Sequence, residues 1–261
     1  MGVDTCASGR PIWRPPRRSA TSVYRSHLRR QDRHSGAPEQ TVVDNSPTLC
    51  TIVNVRVQQP FATVTPSVDG AVLLILARAD ATFSVSEIHQ LIGDYSEAGV
   101  RKAVYRLVDQ GIVTEHRVGR AHVYELNRSH VVADAVVAIA RAWETLLERL
   151  RDRLGAFDHP PVYAAVFGSA ARQEMRSDSD IDIFLVRPRR TGAENEAWKT
   201  DIAKLSADAS AWTGNDVRVL EFGEDEIDGR AADVDTVLTE IARDGITVYG
   251  PTNFLRDRGV N

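Results

Sequence analysis

Residues 161–186 read PVYAAVFGSAARQEMRSDSDIDIFLV, and the order of groups within this stretch decides the fold. An apolar run ends in Gly168-Ser169. Ten residues intervene, and Asp180-Ile181-Asp182 then opens a second apolar run. Acids at i and i+2 on a strand point to the same face, so both carboxylates can hold one magnesium ion while water and phosphate oxygens fill its other sites. Gly168 permits a turn that brings backbone close to a phosphate, and Ser169 adds a hydroxyl beside the amides that open a helix. These groups together point to phosphoryl or nucleotidyl transfer.

The Gly-Ser turn, a helical segment from Ala170 to Met175, the Ser177-Asp178-Ser179 lead-in and the Asp-x-Asp strand follow one another in order. That succession resembles the DNA polymerase β-like nucleotidyltransferase superfamily, in its minimal nucleotidyltransferase branch, over roughly residues 158–250. The resemblance implies a small mixed sheet that binds Mg²⁺ (or Mn²⁺) together with ATP or another nucleoside triphosphate. Asp180 and Asp182 would be the metal ligands and catalytic acids. Gly168 and Ser169 would hold the triphosphate, Arg172 would either reach a phosphate or form a structural salt bridge, and a nucleoside monophosphate would pass to a protein or nucleotide acceptor. It also implies a third carboxylate on a later strand. The strand that should carry it reads Asp216-Val217-Arg218-Val219-Leu220-Glu221-Phe222, with Arg218 where the acid is expected. Glu221 and Asp216 are the two replacements, although alternation sets Glu221 on the face opposite Arg218, and a site with no third acid is the remaining alternative. Arg218 itself is placed to pair with Asp180 or Asp182. If it does, the domain reads as a degenerate nucleotide sensor or dimerisation unit in a transcription regulator.

The chain has 261 residues, 43% hydrophobic and 26% charged, as expected of an ordinary globular protein with room for two modest domains. The apolar run from Ala71 to Ala77 is too short to span a bilayer, and no secretory segment is recognisable. Cys6 and Cys50 are the only cysteines, which argues against a disulfide framework. A cytoplasmic protein without membrane contact is the expectation.

Residues 1–60 differ from the rest. Eight arginines between Arg10 and Arg33 are interspersed with proline and serine, without apolar periodicity. Such a segment cannot bury enough surface to offset its ordering entropy. It reads as a disordered basic arm, or as residues upstream of a true start near Val57.

Residues 61–129 read as three helices and a hairpin. Val72, Leu73, Ile75 and Leu76 give the first helix a buried side. Ser84-Val85-Ser86-Glu87 is a capping box for the second, with Ile88, Leu91 and Ile92 facing inward. Ser96 caps the third, which turns Val100, Ala103, Val104, Leu107 and Val108 inward. Two alternating strands flank Arg117-Val118-Gly119-Arg120. This order resembles a winged helix-turn-helix, which implies a double-stranded DNA partner contacted by Arg101, Lys102 and Arg106 of the third helix and Arg117 and Arg120 of the wing; a protein-interaction module, or routine solvated positions, are the alternatives. Residues 130–156 read as one long amphipathic connector helix, packed on both domains or forming half of a homodimer seam. Residues 157–250 would be the nucleotidyltransferase domain that the resemblance implies, and 251–261 read as a loose tail. The fold class is therefore α+β, a winged helix-turn-helix plus a small mixed-sheet domain joined by a long helix. Residues 155–261 hold 20 acids against 12 basic residues, which argues against this half gripping a polynucleotide.

Overall fold

The computed structural model describes residues 59–176, 179–230 and 236–260, all within one compact unit, Cys50–Asn261. The expected N-terminal arm, and Ser177 and Asp178 of the lead-in, lie outside the described residues. In chain order the elements are α1 (Phe61–Val64), α2 (Val68–Arg78), α3 (Val85–Ile92), α4 (Glu97–Asp109), β1 (Val113–Val118), β2 (Ala121–Leu126), α5 (Ala133–Ala140) and α6 (Ala142–Gly155). There follow β3 (Tyr163–Phe167), α7 (Gly168–Ala171), β4 (Ile181–Arg187), α8 (Glu196–Thr213), β5 (Val217–Gly223), α9 (Glu224–Arg230), α10 (Thr236–Asp244) and β6 (Ile246–Tyr249).

The first half is three packed helices and an antiparallel hairpin. Ser84 caps α3 by accepting from the Glu87 amide while the Glu87 carboxylate accepts from the Ser84 amide, so two otherwise orphaned donors are satisfied. Val100, Ala103, Val104 and Leu107 of α4 are buried against Val72, Leu76 and Ile88, and Tyr124 of β2 joins this core. Leu91 departs from the expected pattern. It is 57% exposed, because α3 is only eight residues long and turns its Ile88 and Ile92 side to the core.

The connector is two helices, not one. At Arg141 the backbone leaves helical geometry, with φ −94° and ψ 15°. The break lets one apolar stripe serve two cores: Ala133, Val136 and Ala140 of α5 bury against the three-helix cluster, and Leu146, Leu150 and Leu154 of α6 bury against the sheet.

The second half is a four-stranded mixed sheet in the order β5-β4-β3-β6, with β4 and β5 parallel and the other pairs antiparallel. Strand β4 is central and covered on both faces. Ile181, Ile183 and Leu185 pack with α6 and α8 residues such as Leu150 and Leu205. Phe184 and Val186 pack on the other side with Leu238 and Ile241 of α10. The continuous apolar reading of this strand follows from its having no solvent face.

The tail after Gly250 is not loose. Phe254, Leu255 and Val260 are buried in the second of these clusters. The Phe254 ring stacks on Tyr163 with centroids 5.0 Å apart. The Arg258 guanidinium lies over the Phe254 ring, 3.8 Å from its centroid, and pairs with Glu224 and Asp228 of α9. Glu224 and Asp228 thus sit on a helix that holds the tail. Three apolar residues among the tail's polar ones were too few to show a period. Phe254→Ala should therefore lower unfolding free energy by about 3 kcal/mol in denaturant titrations, as for other buried aromatics. A cost of about 0.5 kcal/mol or less, typical of surface positions, would mean that the tail adds nothing to the core.

Candidate active site

The site forms where β3 ends and β4 begins. Phe167, the last residue of β3, pairs in register with Asp182, and the chain then turns through Gly168 at φ +68°. A side chain there would be strained and would have no room: a Cβ on Gly168 would lie 2.5 Å from Asp182 Oδ2. The bare Cα of the turn is thus what makes space for the Asp182 carboxylate, and Ser169 follows it, half-exposed, as the first turn of α7 begins. The expected helix over Ala170–Met175 is shorter than predicted. Helix α7 ends at Ala171, and Gln173 takes φ 61°, a left-handed conformation that is unfavourable for a residue with a Cβ. Glu174 N–H donates to Ser169 O at 2.9 Å, closing the segment back onto the turn.

The lead-in to β4 is held by a residue that sequence reasoning passed over. Asn215 is 1% exposed, and its side-chain amide donates to Ser179 O at 2.9 Å. Beside it Ile181 N–H donates to Asp216 O at 2.8 Å. These bonds fix the backbone on either side of Asp180. No motif marks Asn215, since a polar residue after a helix-ending glycine reads as an ordinary turn.

The electrostatics are mixed. Burial raises the Asp182 pKa above the ordinary aspartate value, and the neighbouring Asp180 charge raises it further, against smaller opposing effects from Arg218 and Arg172. Arg218 sits beside Asp182 in the parallel β4/β5 register, and its guanidinium pairs with Asp180 Oδ2 at 2.6 Å. Of the two acids offered to it by the sequence, Arg218 takes Asp180. Arg172 pairs with Glu174 at 3.0 Å and remains at the surface.

Neither expected replacement completes the site. Glu221 is in register with Leu185, so it lies on the sheet face opposite Asp182, where it pairs with Arg187. Its assignment as a third acid is corrected on that ground, because a one-residue offset in a strand puts a side chain on the other face. Asp216 is exposed just before β5. Among the described residues no group of three His, Cys, Asp or Glu side chains is placed to hold a metal ion. The two carboxylates fit one divalent cation, whose remaining positions would go to water and phosphate oxygens.

The expected DNA-contacting cations fall on exposed parts of α4 and the hairpin. Two of them are already engaged. Arg101 pairs with Glu97 at 2.5 Å, and Arg106 makes a two-pronged pair with Asp69. Arg117 donates to Gly119 O, and the hairpin histidines His116 and His122 pair with Glu125 and Glu115. Lys102 and Arg120 have no acidic partner among the described residues.

Residues 144–241 match the nucleotidyltransferase domain family. The match begins inside α6, which agrees with the leucines of that helix packing on the sheet. No curated protein matches the chain. Among solved structures, it is similar to a mutant of the toxin–antitoxin complex MntA–HpeT, at 16% identity and TM-score 0.31, covering 44% of this chain and 80% of that one. It is similar also to a toxin–antitoxin structure with AMP-PNP, at 16% identity and TM-score 0.32, covering 44% and 81%. No helix among the described residues is long and apolar enough to cross a membrane.

The raised Asp182 pKa has a measurable consequence. The native protein binds this proton more tightly than the unfolded chain does, so the ionised carboxylate costs stability above its raised pKa, and that cost fades as pH falls toward the ordinary aspartate range. In protein freed of divalent ions, Asp182→Asn should raise Tm by about 1–4 °C at pH 7, with the gap closing as pH is lowered. Thermal melts across that range check it, and a variant less stable than the native protein at pH 7 would reverse the assignment.

Proposed function

We propose that the sheet domain transfers a nucleoside monophosphate from ATP or another nucleoside triphosphate to an acceptor in a Mg²⁺- or Mn²⁺-dependent reaction. The observation that carries this reading is the packing of the Asp182 carboxylate onto the side-chain-free turn at Gly168, which sets an acid directly beside the backbone that opens α7. The match of residues 144–241 to the nucleotidyltransferase domain family supports it. Asp180 and Asp182 would hold the cation, and Gly168 and Ser169 the terminal phosphates. Arg172, exposed one turn later, would exchange Glu174 for a phosphate oxygen. A bound cation would offset triphosphate charge and orient the displacement.

The Arg218–Asp180 pair favours a second reading, in which the domain binds nucleotide without turnover and acts as a sensor. Pyrophosphate release from ATP with Mg²⁺ or Mn²⁺ separates the two. The first reading expects release from the native chain and loss of at least about a hundredfold in Asp182→Asn, the scale of removing a group that stabilises transferring charge. Nucleotide binding without release would leave the sensor.

The helical half is proposed as a winged helix-turn-helix that places α4 in the major groove of duplex DNA. Support comes from the helix-helix-helix-hairpin order and from Lys102 and Arg120, which are exposed and not paired to acids among the described residues. The pairs at Arg101 and Arg106 redirect the test to the other two positions. Lys102→Glu together with Arg120→Glu should weaken duplex binding by about tenfold or more at moderate salt and lower its salt dependence by about two ions. Duplex binding indifferent to both salt and these changes would leave the module a protein-contact surface.

A further inference from the structure

We infer that the cavity between the end of α10, β6 and the C-terminal tail binds a phosphate-class oxyanion, at a place separate from the Gly168–Asp182 site. Binding there is independent of whether the sheet domain transfers nucleotide.

The cavity has a volume of about 340 Å³ and forms where distant stretches of chain meet: Tyr163 of β3, Thr247 of β6, Arg243 of α10, and Thr252, Asn253 and Arg256 of the tail all line it. Each of these side chains carries a hydrogen-bond donor, and among the described residues no acid lines the cavity. Asp244, next to Arg243 in the chain, is held by both prongs of that guanidinium, so this pair cancels locally. Arg256 is then the charge that sets the sign of the cavity.

Most of these donors are unspent. Arg256 gives its Nε–H to Ala242 O at 3.2 Å, pairs with no acid among the described residues, and keeps its terminal nitrogens for a ligand. The side chains of Thr252 and Asn253 have no hydrogen-bond partner among the described residues. The Tyr163 hydroxyl, on a residue 2% exposed, meets Thr247 Oγ1 at 3.3 Å. One hydroxyl donates in that contact, so the proton of the other is left over. Burial raises the Tyr163 pKa, against smaller opposing effects from Thr247 and Arg256; the phenol therefore keeps its proton, and the guanidinium lies near enough for its charge to reach it.

A helix C-terminus repels an anion through its open carbonyls, but two of those of α10 are covered, Ala242 O by Arg256 and Ile241 O by the Gly245 N–H. The donors stand on two sides, the sheet with its hydroxyl pair and the tail with its guanidinium, hydroxyl and amide. A planar carboxylate can fill the arginine fork and leaves the sheet side unmet. A tetrahedral oxyanion turns oxygens toward both sides and carries the charge that an arginine binds best. Such an ion would bridge Arg256 to Tyr163 and Thr247 and fasten the tail to the sheet.

The full chain, freed of divalent ions and held at constant ionic strength, is titrated calorimetrically with inorganic phosphate and, in a second arm, with phenyl phosphate. Saturable binding is expected, with a rise in Tm of about 3–6 °C at ten times Kd. Arg256→Gln should weaken it by about tenfold or more, as for loss of a charge-assisted pair, and Arg256→Lys should weaken it less. Tyr163→Phe keeps the ring that stacks on Phe254 and should cost about threefold, the scale of one neutral hydrogen bond. Melts establish that each variant is folded, and Tyr163→Phe decides alone should Arg256→Gln not be. Tighter binding of inorganic phosphate assigns the free ion and tighter binding of phenyl phosphate the ester; both keep the site. Binding that ignores Arg256→Gln and Tyr163→Phe overturns the proposal, as does acetate bound as tightly as phosphate, or no binding of either probe at millimolar concentration. Binding lost in Arg172→Gln and intact in Arg256→Gln would put the ion at the Gly168 turn and overturn it too.

Discussion

The contact between Asp182 and the bare Cα of Gly168 is the constraint on which the second half of the molecule turns. It requires β3 and β4 to be antiparallel neighbours with their ends aligned, since Phe167 and Asp182 face each other in register. It requires glycine, both for the positive φ and for the 2.5 Å that a Cβ would leave. It also places an ionisable group at the end of a strand whose remaining residues are buried on two faces. The energetic cost of that placement appears as the raised pKa of Asp182. A protein keeps a group in such a position at some expense to stability, and a bound cation with its anionic ligand is what would return the energy.

The surrounding packing serves to hold this junction still. Strand β4 is wedged between the α6/α8 layer and the α10/tail layer, so its register cannot slip without exposing one apolar set. Asn215 and Asp216 bond the lead-in from the side of β5. The tail closes the far layer by stacking Phe254 on Tyr163, a β3 residue only five positions before Gly168. Structure remote in sequence therefore bears on the strand that presents the turn.

The break at Arg141 shows how two halves of different character share one stretch of chain. An uninterrupted helix over residues 130–156 would carry its apolar stripe along a single line. With the turn at Arg141, α5 commits its small residues to the three-helix core and α6 its leucines to the sheet. The hydrophobic period alone cannot reveal such a break, because both segments keep helical spacing up to the turn.

Much of the site was legible from spacing. The Gly-Ser turn, the i, i+2 acids and the double-sided apolar strand each follow from local periodicity and backbone sterics, and those properties belong to neighbouring residues. The inward face of α4, that of α2 apart from Ile75, and the capping box of α3 were legible for the same reason. What the sequence could not decide was set by contacts between residues far apart in the chain. Alternation put Glu221 opposite Arg218, but only the β4/β5 register ties it to Arg187 and removes it from the site. Whether Arg218 meets Asp180 or Asp182 depended on side-chain reach across two strands. The engagement of Arg106 by Asp69, the burial of Phe254 and the anchoring role of Asn215 each join residues from separate elements. A pattern along the chain records which way a side chain points within its own element. Which partner waits there is fixed by packing, and packing exists only once the elements have come together.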